Sequence, residues 1–458
     1  MTLEERIADL ERRLADLQRE NAALRQENEK LKKELEEWKR GFRERRKRRT
    51  SQREAKATAD SPKKPGRKAG HAGATRPVPD RIDSTEEHPL PPLCDCGGAA
   101  EATGEVASTI VQDIPPVKVT NVRHVAPVGK CTRCGKRVVA KLPGAVESGK
   151  SVAEVQVGPN ATAMAVGLRF QQRVPLNGIC RFLETWFELK MSPGGLSQMF
   201  DRWRLRSTAN YDEIVQHVRS AAVVGADETV LRQNGISGYA WLVRTDKASL
   251  FRIELSRGGW VIIAMLGDDF PGVVCSDFYC VYTSHDDWLH GYCGAHNIRE
   301  GKKIAEVNPS AITEAFSSRL SALYAAGKEA QASCDPMARQ SVRIRFGQLV
   351  ADATLAQDAD VARLQARIHE HFQGVLRFLD RPDVPADNNS TERDVRPLAV
   401  FRKVTGGTRS PEGSLTLAHW MSVVQTLHKN DLPLRDFVLH LYESHYGGRP
   451  PPSVFPNN

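Results

Sequence analysis

The chain has 458 residues, 26% charged and 40% hydrophobic, with a formal net charge of +9 at pH 7. That length asks for two to four domains rather than one core, and no apolar run reaches the 18 or more residues of a membrane span. Four of the nine cysteines stand in two close pairs, which points to a metal site in a reducing, cytosolic compartment rather than to a disulfide framework.

Residues 3–38 repeat Leu3, Leu10, Leu17, Leu24, Leu31 and Trp38 at seven-residue spacing. Ile7, Leu14, Asn21, Asn28 and Leu35 fill the alternate core positions. Such a 4-3 pattern, with Asn in an apolar seam, predicts a parallel coiled coil and so a homodimer or higher oligomer. The basic run KRGFRERRKRR follows, within a block (39–68) carrying 14 Lys and Arg against three acids. A concentrated positive block attracts phosphate backbones, so Arg45, Arg46, Lys47, Arg48 and Arg49 are candidate DNA contacts. We read 1–49 as coiled coil and basic segment, and 50–90, rich in Pro, Gly and Lys, as a linker.

A small module at 91–142 holds CDCGG and CTRCGK. Two thiolate pairs, Cys94 with Cys96 and Cys131 with Cys134, can close a tetrahedron around structural Zn²⁺. His88 or His124 could replace one thiolate. Residues 150–212 read as helices with a break at Ser192-Pro193-Gly194, where Ser192 caps a second helix carrying Arg202, Arg204 and Arg206. The pattern fits a DNA-binding helix-turn-helix and an ordinary helical hairpin equally.

From 220 the period changes to that of strands. Short apolar runs end at Asp227 and Asp277, with two further strands and a helix (GGWVIIAMLGDDF) between them. This order describes an α/β fold of the ribonuclease H-like kind, in which the first and fourth strands are neighbours and the two aspartates meet. Two acids meeting there predict a divalent cation, Mg²⁺ or Mn²⁺, between them. Glu228 is expected on the opposite face of its strand from Asp227; Asp268, Asp269, Asp286 and Asp287 are competing acids. The catalytic core would occupy 220–293 and 386–445, interrupted by a helical insertion at 294–385.

The second part opens with DNNSTERDVRPLAVFRK. Asn389 can cap a helix, Glu392 can complete a capping box and pair with Arg396, and Pro397 would end or bend the helix. Alternatively Glu392 is the third carboxylate of the metal site, with Arg393, Arg396, Arg402 and Lys403 as DNA-backbone contacts.

The order of zipper, KKPGRKAGHAG, paired cysteines, GADET, SDFYCVY, CGAH, ADNNSTERDVRPLAVFRK and SPEGSLTLAHWMSVVQTLHKNDLPLRDF resembles transposases of the insertion-sequence-66 family over nearly the whole chain. The resemblance implies a bacterial origin and a DDE triad at Asp227, Asp277 and Glu392, with His296 of CGAH near the cut phosphate. It also implies metal-dependent cleavage and strand transfer on double-stranded DNA, both terminal inverted repeats and target. Other classes that the sequence admits are a DNA-binding regulator or degenerate transposon remnant without catalysis, and a ribonuclease H-like nuclease.

Overall fold

Alternating burial along Val223–Gln233 (β3) and the Asn234-Gly235 pair, both residues at positive φ, make a tight hairpin into Ile236–Arg244 (β4). The architecture around it comes from a computed structural model describing residues 76–93, 95–115, 117–125, 127–139, 155–285 and 287–456. The expected coiled coil and the basic residues Arg45 to Arg49 lie outside the described residues, as do Cys94 and Asp286. The chain divides into two units, Met1–Ile114 and Pro115–Asn458. In the first, nearly all the described residues are exposed, and they form no helix or strand beyond a Leu93–Ala99 bridge.

The second unit begins with a short hairpin, Val128–Lys130 (β1) and Arg137–Val139 (β2). Helices follow at Pro159–Val166 (α1), Leu176–Phe187 (α2), Pro193–Arg206 (α3) and Thr208–Arg219 (α4). As expected, Ser192 caps α3, accepting from Gly195 N at 3.0 Å, with Pro193 in the first turn. Leu196, Met199, Phe200 and Trp203 of α3 are buried in the same core as the sheet. Arg204 pairs with Asp201 and Arg206 stacks on Trp203, so two of the three arginines have intramolecular partners.

The main sheet adds Ser249–Glu254 (β5), the helix Trp260–Leu266 (α5), Val273–Ser276 (β6), the short helix Cys280–Thr283 (α6) and Leu289–Tyr292 (β7). Its strand order is β5-β4-β3-β6-β7, with β3, β4 and β5 antiparallel and β3, β6 and β7 parallel. The first and fourth strands from residue 220 onward are therefore adjacent. β7 was not anticipated: four residues containing His290 carry too little alternation to be recognised.

Beyond β7 come Gly294–Val307 (α7), Ala311–Ala332 (α8), Pro336–Val350 (α9), Ala359–Glu370 (α10), Phe372–Val375 (α11) and Arg377–Asp380 (α12). They form a second apolar cluster, around Phe316, Tyr324, Phe346 and Phe378, which reaches the sheet at Val273, Cys275 and Tyr292. Asn389–Thr405 (α13), Pro411–Lys429 (α14) and Leu434–Gly447 (α15) return to the first core. α14 covers the sheet edge: Ser422 and Thr426 hydroxyls accept from the amides of Phe251 and Ser249 on β5, at 2.8 and 3.1 Å. An edge occupied in this way is closed to further strands. Among the described residues no helix is long and apolar enough to cross a membrane.

Candidate active site

The β3–β6 ladder ends with Gly225 opposite Cys275. Asp227, further along β3, and Asp277, one residue past the end of β6, each lie two residues beyond that pair. Asp277 is held by its own turn, its Oδ1 accepting from Tyr279 N at 3.0 Å; the Oδ1 of Asp227 accepts from Glu228 N at 2.8 Å.

Glu392 arrives from the first turn of α13, which packs directly on β3. A Cβ on Gly225 would stand 2.1 Å from Thr391 Oγ1, so only glycine admits this approach. The N-terminal position of α13 is Asn388 rather than Asn389, and no capping box forms. Glu392 pairs with Arg299 of α7 at 2.5 Å instead of with Arg396. Nor does Pro397 end the helix, which continues to Thr405. Burial of Thr391, Val395, Leu398 and Phe401 along one face offsets the roughly 3 kcal/mol cost of an internal proline.

Charge is concentrated here. Burial, then the carboxylates of Glu228, Asp277 and Glu392, push the Asp227 carboxyl up to about 7. Glu228, expected on the opposite face, is near enough to be the first of those three carboxylates in effect. Its side chain is only 6% exposed and accepts from Arg257 and from the Tyr282 hydroxyl, each at 2.6 Å. His296 Nε2 lies 3.2 Å from Arg299 and 3.8 Å from Glu392. Burial, then Arg299, lower its pKa and favour the neutral ring, against the pull of Asp277 and Glu392.

Asp277 and His296 open onto a cleft of about 600 Å³ lined also by Arg257, Phe278, Tyr279, Arg299, Glu300, Lys303 and Arg367. The insertion thus supplies one wall: Arg367 of α10 lies over the Phe278 ring at 4.5 Å and pairs with Glu300 at 2.7 Å. The basic lining differs from the one expected. Arg393, Arg396 and Lys403 are exposed elsewhere on α13, and Arg402 donates to the Val230 carbonyl at 2.6 Å, tying α13 to β3. His296, Arg299 and Lys303 share one face of α7 at three- and four-residue spacing, a signal the sequence did carry. Of the competing acids, Asp268, Asp269 and Asp287 are exposed in loops.

The oxygen donors and surplus negative charge fit a hard divalent cation. Among the described residues, however, no three His, Cys, Asp or Glu side chains gather closely enough to hold one ion. At the first hairpin, Gly135 at positive φ closes a turn in which the amides of Cys134 and Arg133 aim at Cys131 and lower its thiol pKa. That turn suits a thiolate pair.

The raised Asp227 pKa makes a stability prediction. Between pH 4 and 7 the native state holds a proton that the unfolded chain has lost, so this group's contribution to stability falls as pH rises. Asp227→Asn is expected to stabilise the protein at pH 8 by about 2 kcal/mol after allowance for solvent, the gap closing toward pH 4. Calorimetry across that range measures it.

The family model described as Transposase IS66 family matches residues 154–415. The chain is also 28% identical over 142 residues to an uncharacterized protein, y4jO, of Sinorhizobium fredii, a match covering 31% of this chain and 44% of that protein. The chain therefore spans less than half the length of this curated relative. The family match covers more than half of the chain and takes in Asp227, Asp277, His296 and Glu392, so the chain belongs to the IS66 family of transposases.

Proposed function

We propose that this protein is the DNA transposase of a bacterial insertion sequence, cutting at the element's terminal inverted repeats and joining the freed 3′-OH to target DNA. The observation that supports the reading is that Asp227 of β3, near enough to Asp277 and to Glu392 of α13 to feel both charges, stands with them beside a basic cleft. The sheet order, with its crossover helix, supports a ribonuclease H-like core.

Asp227, Asp277 and Glu392 would hold Mg²⁺ or Mn²⁺, which when bound supplies charge neutralisation at the attacking and leaving oxygens of an in-line displacement. The chain's own groups position the substrate. Arg257, Arg299, Lys303 and Arg367 bind backbone phosphates, and His296 shares a hydrogen bond with a phosphate oxygen near the cut. Positioning and electrostatics suffice, without a covalent protein intermediate. In the same reading the coiled coil pairs protomers so that two ends are held together. The 39–68 block and a Zn²⁺ module of Cys94, Cys96, Cys131 and Cys134 bind those ends in the cytoplasm.

Lys303→Ala is expected to weaken DNA binding equally across sequences and to reduce the salt slope of log K by about 0.9 for its one lost phosphate contact. Binding titrations between 50 and 200 mM salt, on the order of the range where such slopes are steep, measure it.

The full chain, incubated with inverted-repeat DNA, target DNA and Mg²⁺, is expected to give 3′-OH cuts at the element end and joined products. A regulator without catalysis draws support from the Glu392–Arg299 pair; end binding without cleavage under any divalent cation would establish it. Cutting without joining would establish a nuclease.

A further inference from the structure

We propose that Asn388 is a positioning residue that fixes the Glu392 helix simultaneously to the strand of Asp227 and to the start of the helix of His296. The inference rests on the site assignment above and adds a residue that it does not use.

Asn388 is 4% exposed, and its polar groups are directed at three segments. Its Nδ2 donates to the Ala226 carbonyl at 2.9 Å, one residue before Asp227. Its backbone N–H donates to Cys293 Sγ at 3.0 Å, where Cys293 is the residue preceding α7. Its Oδ1 accepts from Thr391 Oγ1 at 2.5 Å, one residue before Glu392, and its carbonyl accepts from Glu392 N at 3.1 Å. Thr391 is fully buried.

The geometry explains why a side chain is needed. The ladder with β6 stops at Gly225, so the first carbonyl beyond it, Ala226, has the Asn388 amide as its partner. The two glycines that flank the clamp have no room for a side chain. A Cβ on Gly225 would meet Thr391 Oγ1 and Asn388 Oδ1, at 2.1 and 3.0 Å; one on Gly294 would meet the Ala386 carbonyl at 2.9 Å. Gly294 N also donates to that carbonyl at 3.0 Å. Elements separated by 95 and 162 positions in the chain thus meet at one buried amide. A buried amide with both ends used is a directional joint, since losing one partner leaves another polar group unpaired. Cys293, Asn388 and Thr391 then set where His296 and Glu392 stand relative to Asp227.

The test uses the full chain with Asn388→Asp, which keeps the acceptor and loses the Ala226 donor, and with Thr391→Val against Thr391→Ser. Hydrogen exchange is expected to quicken about ten-fold at the amides of 388–394 in the Asp and Val variants, with α14 unchanged. Turnover in end cleavage is expected to fall about 100-fold at unchanged KM, as for a catalytic group displaced by about 1 Å. Thr391→Ser, which restores the hydroxyl, is expected to restore both. Unchanged exchange in the Asp and Val variants would overturn the clamp. Faster exchange with unchanged turnover would reduce it to local stability and overturn the positioning role. If the wild-type chain does not cut DNA at all, the functional reading fails, and the exchange measurement alone decides whether Asn388 joins the three segments.

Discussion

Asp227→Asn is expected to lower end cleavage by about 10³-fold or more, equivalent to roughly 4 kcal/mol of transition-state stabilisation, while binding of inverted-repeat DNA stays within about two-fold. An amide has nearly the size of the carboxylate and keeps the Glu228 N–H as a donor to its oxygen. What it removes is negative charge, which under the proposed function would help to hold a cation and which costs stability when uncompensated. The same substitution is therefore expected to stabilise the fold near pH 8 and abolish the reaction, an opposition common where function requires like charges to be held together. Glu392→Gln is expected to abolish cleavage in the same way and to leave DNA binding largely intact. The assay is single-turnover cleavage of a labelled element end. An Asn or Gln variant that cuts at wild-type rate would move the chemistry away from these carboxylates.

Asp394→Ala is expected to destabilise the protein by about 3–5 kcal/mol, as when one partner of a buried ion pair is removed. Asp394 pairs with Arg244 at 2.9 Å and with Lys429 at 2.7 Å, and those two side chains are 14% and 11% exposed. Without it, two buried cations face each other. Burial and then Arg244 already bring the Lys429 pKa down to about 8 against the pull of Asp394. The sign follows from that value. Between pH 8 and 10.5 the unfolded chain binds a proton that the native lysine has released, so wild-type stability from this group rises with pH. The penalty in Asp394→Ala is accordingly largest near pH 7 and shrinks above about 8, which denaturant titrations at several pH values would show. Arg244 also donates to Ser390 Oγ at 2.7 Å in the first turn of α13, so cleavage is expected to fall along with stability. A loss below about 1 kcal/mol would place the pair in the class of solvent-screened surface bridges.

Much of the core around the site was legible because its signals are local. Val223–Asp227 and Val273–Asp277 are short apolar runs ending in an acid, and Ser192-Pro193 announces a helix start by its own chemistry. Where long-range packing overrules local chemistry, legibility ended. Pro397 reads as an end or a bend of the helix, and the buried face of α13 carries the helix through it to Thr405. The DNNSTE stretch reads as an Asn389–Glu392 capping box. In the fold Asn388 takes the first position and its side chain serves β3, and Glu392 turns to Arg299. Arg257, Arg299 and Arg367 come from three separate segments, and only the folded chain places them around one cleft. Glu228 belonged to the site's charge despite alternating with Asp227, because adjacent carboxylates interact wherever burial weakens screening.

The measurement that bears most directly on the central claim is an anomalous-difference map from crystals of the full chain with end DNA and Mn²⁺. The account predicts Mn²⁺ coordinated by Asp227 and Asp277, with Glu392 completing the site and bonds of about 2.0–2.2 Å. Well-ordered carboxylates beside bound DNA with no metal peak between them, or a peak held by other residues, would contradict it.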